Sequence, residues 1–302
     1  MEFLYVLEKI RNPILDTVMQ LLTHLGEETL FMAVAMFFLW CVDKKKGYYL
    51  LSIGFLGTQI NQLMKVTFRV PRPWVKDPNF TVVESAVPEA TGYSFPSGHT
   101  QSAVGTFGGI ARWTRRKWLR CLCIVLCVIV PFTRMYLGVH TPADVGVSIL
   151  IATVLIFALY PLIHKAQEHP LGMRIFLIAM LVWSVGQVLF MELFPFPASA
   201  DGAELYSGLK NAYKMLGAVA GFVVVYELDT RFIRYETAGC WWVQLLKFIP
   251  GLLVTVGVKE LLYLLPLPEL QNRLVAYLLL MIFGGAVWPL TFRYLCKLEK
   301  KK

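Results

Sequence analysis

Three polar clusters interrupt an otherwise apolar chain. The first is Lys65-Val66-Thr67-Phe68-Arg69-Val70-Pro71-Arg72-Pro73 and the second is Pro96-Ser97-Gly98-His99. The third is Thr133-Arg134, followed after five residues by His140 and after three more by Asp144. Together they bring cations (Lys65, Arg72, Arg134), imidazoles (His99, His140), the carboxylate of Asp144 and the hydroxyl of Ser97. That set can hold a tetrahedral oxyanion and break its ester bond through a histidine nucleophile.

Each cluster has a local reading. Thr141-Pro142 predicts an N-cap followed by proline at the first helical position, with Asp144 in the first turn. A carboxylate one turn from His140 can take a hydrogen bond from one imidazole nitrogen and leave the other free to attack. The same residues also suit a plain helix cap. Ser97 predicts a cap for the next helix, whose free N–H groups and dipole favour an anion. Gly98 lets backbone approach closely, and His99 faces the same space as a candidate general acid. Pro-Ser-Gly equally reads as a turn and cap. Arg72 and Arg134 can fork phosphate oxygens. Lys65 closes an apolar span, where a cation is either functional or snorkelling to the interface. Arg69 stands outside the immediate site.

The elements that must position these groups are membrane helices. The chain has 302 residues, 57% hydrophobic and 16% charged, with a mean hydropathy of +0.58. A soluble domain carries about 25% charged residues. Apolar runs predict spans near 25–42, 48–66, 97–113, 118–134, 142–163, 173–193, 211–228, 243–265 and 273–293. Residues 1–20 repeat apolar side chains at helical spacing and predict an interfacial helix rather than a signal peptide.

The net charge of +9 sits in short basic clusters between spans, not in a nucleic-acid-binding patch. Lys44–Lys46, Arg112–Arg120, Lys165 with Arg174, Arg231 with Arg234, and Lys297 with Lys300, Lys301 and Lys302 fall on one side if every span crosses once. That side is cytoplasmic by the distribution of positive charge. The polar clusters then meet at the opposite, extracytoplasmic face, and the C-terminus is cytoplasmic. The link 67–96 reads as a partial cover over the site, its aromatics Trp74, Phe80, Tyr93 and Phe95 at headgroup depth. The six cysteines fall in no predicted external loop and match no zinc spacing, so neither disulfides nor a zinc centre is expected from them.

In this order and spacing the clusters resemble the type 2 phosphatidic acid phosphatase superfamily, whose pattern is Lys-x6-Arg-Pro, Pro-Ser-Gly-His and Ser-Arg-x5-His-x3-Asp. Thr133 is the departure, and it keeps a hydroxyl. The resemblance covers roughly residues 10–195. It implies a phosphatase without metal or cofactor, working through a phosphohistidine. By position it makes His140 the nucleophile, Asp144 its orienting partner and His99 the acid for the leaving group. Lys65, Arg72, Ser97, Gly98 and Arg134 would hold the phosphoryl oxygens. The partners implied are the bilayer and a phosphorylated lipid: a polyprenyl diphosphate, phosphatidylglycerophosphate or phosphatidic acid.

The expected fold is an all-α polytopic membrane bundle. Residues 1–195 form a six-helix phosphatase core with its interfacial helix, and residues 196–302 add about three transmembrane helices. Gly217 and Gly221 make a small-xxx-small pair for close helix packing, within the chain or between protomers of a homo-oligomer. Lys259 and Glu260 fall inside a span and are candidates for function or for structural pairing. Two other readings are open at this stage. One is a vanadate-dependent haloperoxidase, which shares the phosphate-shaped pocket. The other is a lipid-binding or transport protein with an idle site, motivated by the extra spans.

Overall fold

The computed structural model describes residues 1–299; Lys300, Lys301 and Lys302 lie outside the described residues. Among these, the chain is helix and loop with no strand. In order the helices are α1 (Glu2–Lys9), α2 (Pro13–Thr23), α3 (Glu28–Phe37), α4 (Lys44–Phe68), α5 (Pro73–Lys76), α6 (Gly98–Ala103) and α7 (Gly109–Trp113). They continue with α8 (Lys117–Tyr136), α9 (Pro142–Ala166), α10 (Pro170–Leu193), α11 (Gly202–Leu228), α12 (Trp241–Tyr263), α13 (Glu269–Ile282) and α14 (Phe292–Glu299). A π-helical stretch, Val104–Gly108, joins α6 to α7.

Every predicted span is occupied by helix, and the protein is a multi-pass membrane bundle. Among the described residues, four segments are long and apolar enough to cross a membrane by length and composition: Lys117–Tyr136, Pro142–Ala166, Leu171–Leu193 and Glu269–Lys297. The pair Pro13–Gly26 and Glu28–Val42, bent by 48°, makes a fifth if it is one span. The sequence suggests nine; of the four segments that fall short, two are α11 and α12 and two are the site-bearing α4 and the run from α6 to α7. α4 carries Gln59, Asn61 and Gln62 in its interior. The run from α6 to α7 reaches about 24 Å at ~1.5 Å per residue, short of a bilayer core of ~30 Å.

The chain divides into two compact units. The first contains Met1–Met32, Ser52–Tyr160 and Phe196–Gly208. Its N-terminal part is two helices, not one. Asn12 caps α2 by accepting from the Leu15 amide, and Pro13 follows at the first helical position. Leu4 and Leu7 turn inward, while Phe3, Val6, Ile10, Ile14, Val18 and Leu21 stay exposed, as an interfacial segment requires. Arg11 between the helices donates to the carbonyls of Tyr136 and Thr81, at 2.9 and 2.8 Å.

The 67–96 link is an ordered cover built against these helices. Tyr5 donates to Asp77 at 2.8 Å, and Val83 N–H to the Leu137 carbonyl at 3.1 Å. Phe80 and Tyr93 of the cover are buried within the protein. Phe80 is taken up by an edge contact with Tyr5 and by the Arg11 guanidinium over its ring. Gly138 turns the chain at φ +82°, where a side chain would strain the backbone and strike Arg11.

The second unit contains Ala33–Leu51, Pro161–Pro195 and the chain from Leu209 onward. Gly217 and Gly221 let α11 lie against α13 within the chain: an added methyl would overlap the Leu274 and Leu278 carbonyls. Lys259 and Glu260 pair with each other at 3.8 Å and are not buried, their side chains being 33% and 68% exposed. The buried ionisable group of α12 is instead Lys247. It is 0% exposed and donates to the carbonyls of Glu236, Thr237 and Ala238. Lys44 pairs with Asp229 at 2.7 Å and Arg174 with Glu227 at 2.5 Å. All six cysteines are free thiols.

Candidate active site

Residues 65, 72, 97, 98, 99, 134, 140 and 144 all fall in the first unit. Lys65 lies in the last turn of α4, and its ammonium donates to the Tyr93 carbonyl. Arg72 precedes α5, Ser97 caps α6, and Gly98 and His99 form its first turn. Arg134 lies in the last turn of α8 and Asp144 in the first turn of α9, with His140 on the link between them.

The capping chemistry read from sequence fixes this register. Thr141 N–H donates to Asp144 Oδ2 at 2.7 Å, and Asp144 N–H to Thr141 Oγ1 at 3.3 Å. The start of α9 is tied to the second motif: Ser97 N–H donates to the Asp144 carbonyl at 3.2 Å. Ser148 Oγ lies 2.9 Å from the carbonyls of both Ser97 and Asp144. The link after α8 is folded back on itself by the amides of Val139 and His140, which both donate to the Arg134 carbonyl.

His140 has a defined orientation. Arg72 Nη1 lies 3.1 Å from its Nε2 and also donates to the Val139 carbonyl at 3.0 Å. A guanidinium can only donate, so Nε2 carries the lone pair and Nδ1 the hydrogen. Nδ1 faces Asp144 Oδ2 at 3.5 Å and Ser94 Oγ at 3.4 Å. Burial, and after it the charges of Arg72, Lys65 and Arg134, hold the His140 imidazole well below its ordinary range, so it is neutral at neutral pH. Burial also lowers the Arg72 guanidinium to about 10, with Asp144 and Glu204 opposing, and it remains a cation.

Ser94 is a site residue that carries no signal in the sequence. It is 0% exposed and donates to Asp144 Oδ2 at 2.6 Å. No motif marks it; the path of the cover brings it there, fixed by Ser94 N–H donating to the Val70 carbonyl at 2.8 Å. The hydroxyl that Thr133 keeps donates to the Val130 carbonyl within α8. Arg134 Nη1 donates to Thr23 at 2.7 Å, while its Nε is buried without a partner. His99 Nε2 is likewise buried without a hydrogen bond, and its nearest acid is Glu89 at 3.8 Å. An added methyl at Gly98 would meet nothing within 4 Å, so packing does not demand glycine there.

The charge balance gives the site its chemistry. The buried charged side chains of the first unit are Lys65, Arg72 and Arg134 against Asp144, three positive to one negative. Burying unpaired cations costs several kcal/mol each, and a doubly charged phosphoryl group would neutralise the surplus of two. A neutral imidazole with its lone pair directed at the same arginine is poised to attack such a group.

Comparison with known proteins gives the chain's relatives. A model of the PAP2 superfamily matches residues 45–168, and a model described as the PAP2 superfamily phosphatase transmembrane extension matches 213–301. The chain is 31% identical over 165 residues to a protein of Dictyostelium discoideum named "Probable sphingosine-1-phosphate phosphatase", covering 50% of this chain and 39% of that one. It is 27% identical over 153 residues to the undecaprenyl-diphosphatase BcrC of Bacillus subtilis, covering 49% of this chain and 75% of that one. It is 28% identical over 153 residues to phosphatidylglycerophosphatase B of the same organism, covering 45% and 69%. The chain thus spans about two fifths of the Dictyostelium relative and up to three quarters of the bacterial ones. No solved structure matches it.

Proposed function

The chain belongs to the PAP2 superfamily, and from that premise we propose that it is an integral-membrane lipid phosphatase working through a phosphohistidine. His140 Nε2 attacks the phosphorus and the bond to the lipid oxygen breaks, with His99 giving that oxygen a proton. Water, giving a proton to His99, then attacks the phosphohistidine, which breaks the P–N bond, restores His99, returns His140 to its neutral form and releases phosphate. Asp144, with Ser94 beside it, holds the Nδ1 hydrogen and steadies the positive charge on the ring as Nε2 becomes bonded. Lys65, Arg72, Arg134, Ser97 and the Gly98 backbone receive the phosphoryl oxygens. Arg72 Nη1 transfers from Nε2 to the incoming oxygen, which exposes the nucleophile only when substrate is present. The observation that carries this reading is the surplus of buried cations around a neutral, oriented imidazole.

The substrate class is a lipid carrying a phosphomonoester or diphosphate. Polyprenyl diphosphate and phosphatidylglycerophosphate are supported by the names of the bacterial relatives, and sphingosine-1-phosphate by that of the Dictyostelium one. Phosphatidic acid belongs to the same class. Residues 1–195 act as the catalytic core and 196–302 as an added transmembrane part, in line with the two family models. The basic clusters support a site on the extracytoplasmic face of the cytoplasmic membrane and a cytoplasmic C-terminus.

The test is phosphate release by the purified protein from a panel of phospholipid, sphingoid and prenyl phosphates, without added divalent metal. The wild type releases phosphate from at least one lipid and is inhibited by vanadate, while His140→Ala stays folded and inactive. Full turnover by His140→Ala would overturn the mechanism.

A further inference from the structure

A second group of ligating side chains stands beside His99 and has no part in the reaction above. His24 opens the 3-10 turn His24–Gly26, Glu27 follows it, and Glu89 comes from the cover. His24 Nδ1 pairs with Glu27 Oε1 and lies 3.6 Å from Glu89 Oε1. One imidazole nitrogen and two carboxylate oxygens thus lie within 4.8 Å of one another. The other oxygen of Glu89 is 3.8 Å from His99 Nε2, a buried nitrogen without a hydrogen bond.

The arrangement is built, not a chance crowding of surface acids. Glu27 Oε2 accepts from Thr29 at 2.8 Å, which orients the carboxylate from behind as outer partners do at metal sites. The turn is set directly on the helix of the general acid: a methyl at Gly26 would come within 3 Å of the His99 carbonyl. The three side chains are 33–42% exposed, open to solvent yet partly enclosed.

We propose that His24, Glu27 and Glu89 bind a divalent transition-metal ion of the Zn2+ type, and that the bound ion inhibits turnover by drawing Glu89 away from His99. One nitrogen and two oxygens with open positions suit Zn2+ and its neighbours better than Mg2+ or Ca2+, which take oxygen donors. Zinc bonds of about 2.0–2.2 Å set ligand atoms roughly 3–3.5 Å apart. The 3.6 Å between His24 and Glu89 is already near that value, so side-chain rotation alone completes the set. His99 would then lose the one acidic side chain that faces its otherwise unpartnered Nε2, and with it the group that sets its ring beside the leaving oxygen. Inhibition rests on the phosphatase reading; binding does not.

The experiment titrates Zn2+ alone into chelator-treated full-length protein in detergent, in competition with a colorimetric zinc chelator. The wild type takes up one equivalent that Mg2+ and Ca2+ do not displace. His24→Ala and Glu27→Gln each weaken that equivalent by tenfold or more, and each keeps wild-type phosphate release in the absence of Zn2+. Zn2+ inhibits the wild type, and both substitutions move the inhibition midpoint by the same factor as the binding. Uptake unchanged in both variants would mean that thiols or other groups hold the ion, and would overturn the site. Uptake lost in the variants with no inhibition of the wild type would overturn the coupling to His99. If no lipid is hydrolysed under any condition, the phosphatase reading fails, while the chelator titration still decides whether the metal site exists.

Discussion

Ser94→Ala is the sharpest test of the site geometry, because no motif points to that residue. Asp144 Oδ2 receives the Ser94 hydroxyl at 2.6 Å and the Thr141 amide at 2.7 Å, with His140 Nδ1 further off at 3.5 Å. Removing the hydroxyl takes away the shortest of these bonds in a fully buried setting. A hydrogen bond to a charged group contributes about 1.5–3 kcal/mol net. If all of that acts on the step in which charge develops on His140, the rate falls by about 10- to 150-fold. The Thr141 amide keeps the carboxylate in place, so the loss stays below that of Asp144→Asn.

The assay is phosphate release at saturating lipid by wild type, both single variants and the double variant, each checked for folding. The two singles act through one carboxylate, so the double variant should lose little beyond Asp144→Asn alone. Wild-type turnover in folded Ser94→Ala, or losses that simply multiply in the double variant, would refute the role of Ser94 in positioning Asp144 and His140.

Three more outcomes follow from the structure. Gly98→Ala should fold normally, since the new methyl meets no protein atom within 4 Å; phosphate release should still fall about 10- to 100-fold through displacement of the phosphoryl group, and unchanged kinetics would remove Gly98 from the site. His140 is held below its ordinary value of 6.5, so below that pH the unfolded chain takes a proton that the folded one refuses. Stability is then full above 6.5 and falls by about 1.4 kcal/mol per pH unit below it; thermal unfolding at about pH 7.5 and 5.5 should show a smaller difference for His140→Asn than for wild type. Gly217→Ala forces a methyl onto the Leu274 carbonyl and should cost about 1–3 kcal/mol of stability, read as a lower unfolding temperature with turnover per folded molecule unchanged.

The sequence and the structure agree where chemistry is carried by short-range rules. The caps at Ser97 and Thr141, the Pro142 start and the spacing of His140 and Asp144 are local, and they set the first turns of α6 and α9 as read. The Asn12-Pro13 pair, with a cap formed at Leu15, could equally have divided the N-terminal segment into two helices. Gly217 and Gly221 were legible because a small residue at helical spacing has one structural use in an apolar helix. What stayed hidden depends on the long path of the cover. Nothing local tells Ser94 from its neighbours or brings Glu89 to His99; both contacts exist because residues 67–96 are anchored through Tyr5, Arg11 and Leu137.

Ionisable groups in the helices show the same limit from the other side. Lys259 and Glu260 drew notice as charges inside an apolar run, yet they satisfy each other at the surface. Lys247, equally visible in the sequence, is the one driven fully inside, where a turn of three carbonyls receives all its donors. A buried cation therefore does not mark a reaction by itself; what matters is whether the fold supplies its counterpart. Around Lys247 backbone oxygens do so completely. Around Lys65, Arg72 and Arg134 backbone carbonyls and one buried carboxylate do so only in part, Arg134 Nε being left without a partner, and that shortfall of negative charge is what the proposed phosphorylated lipid would fill.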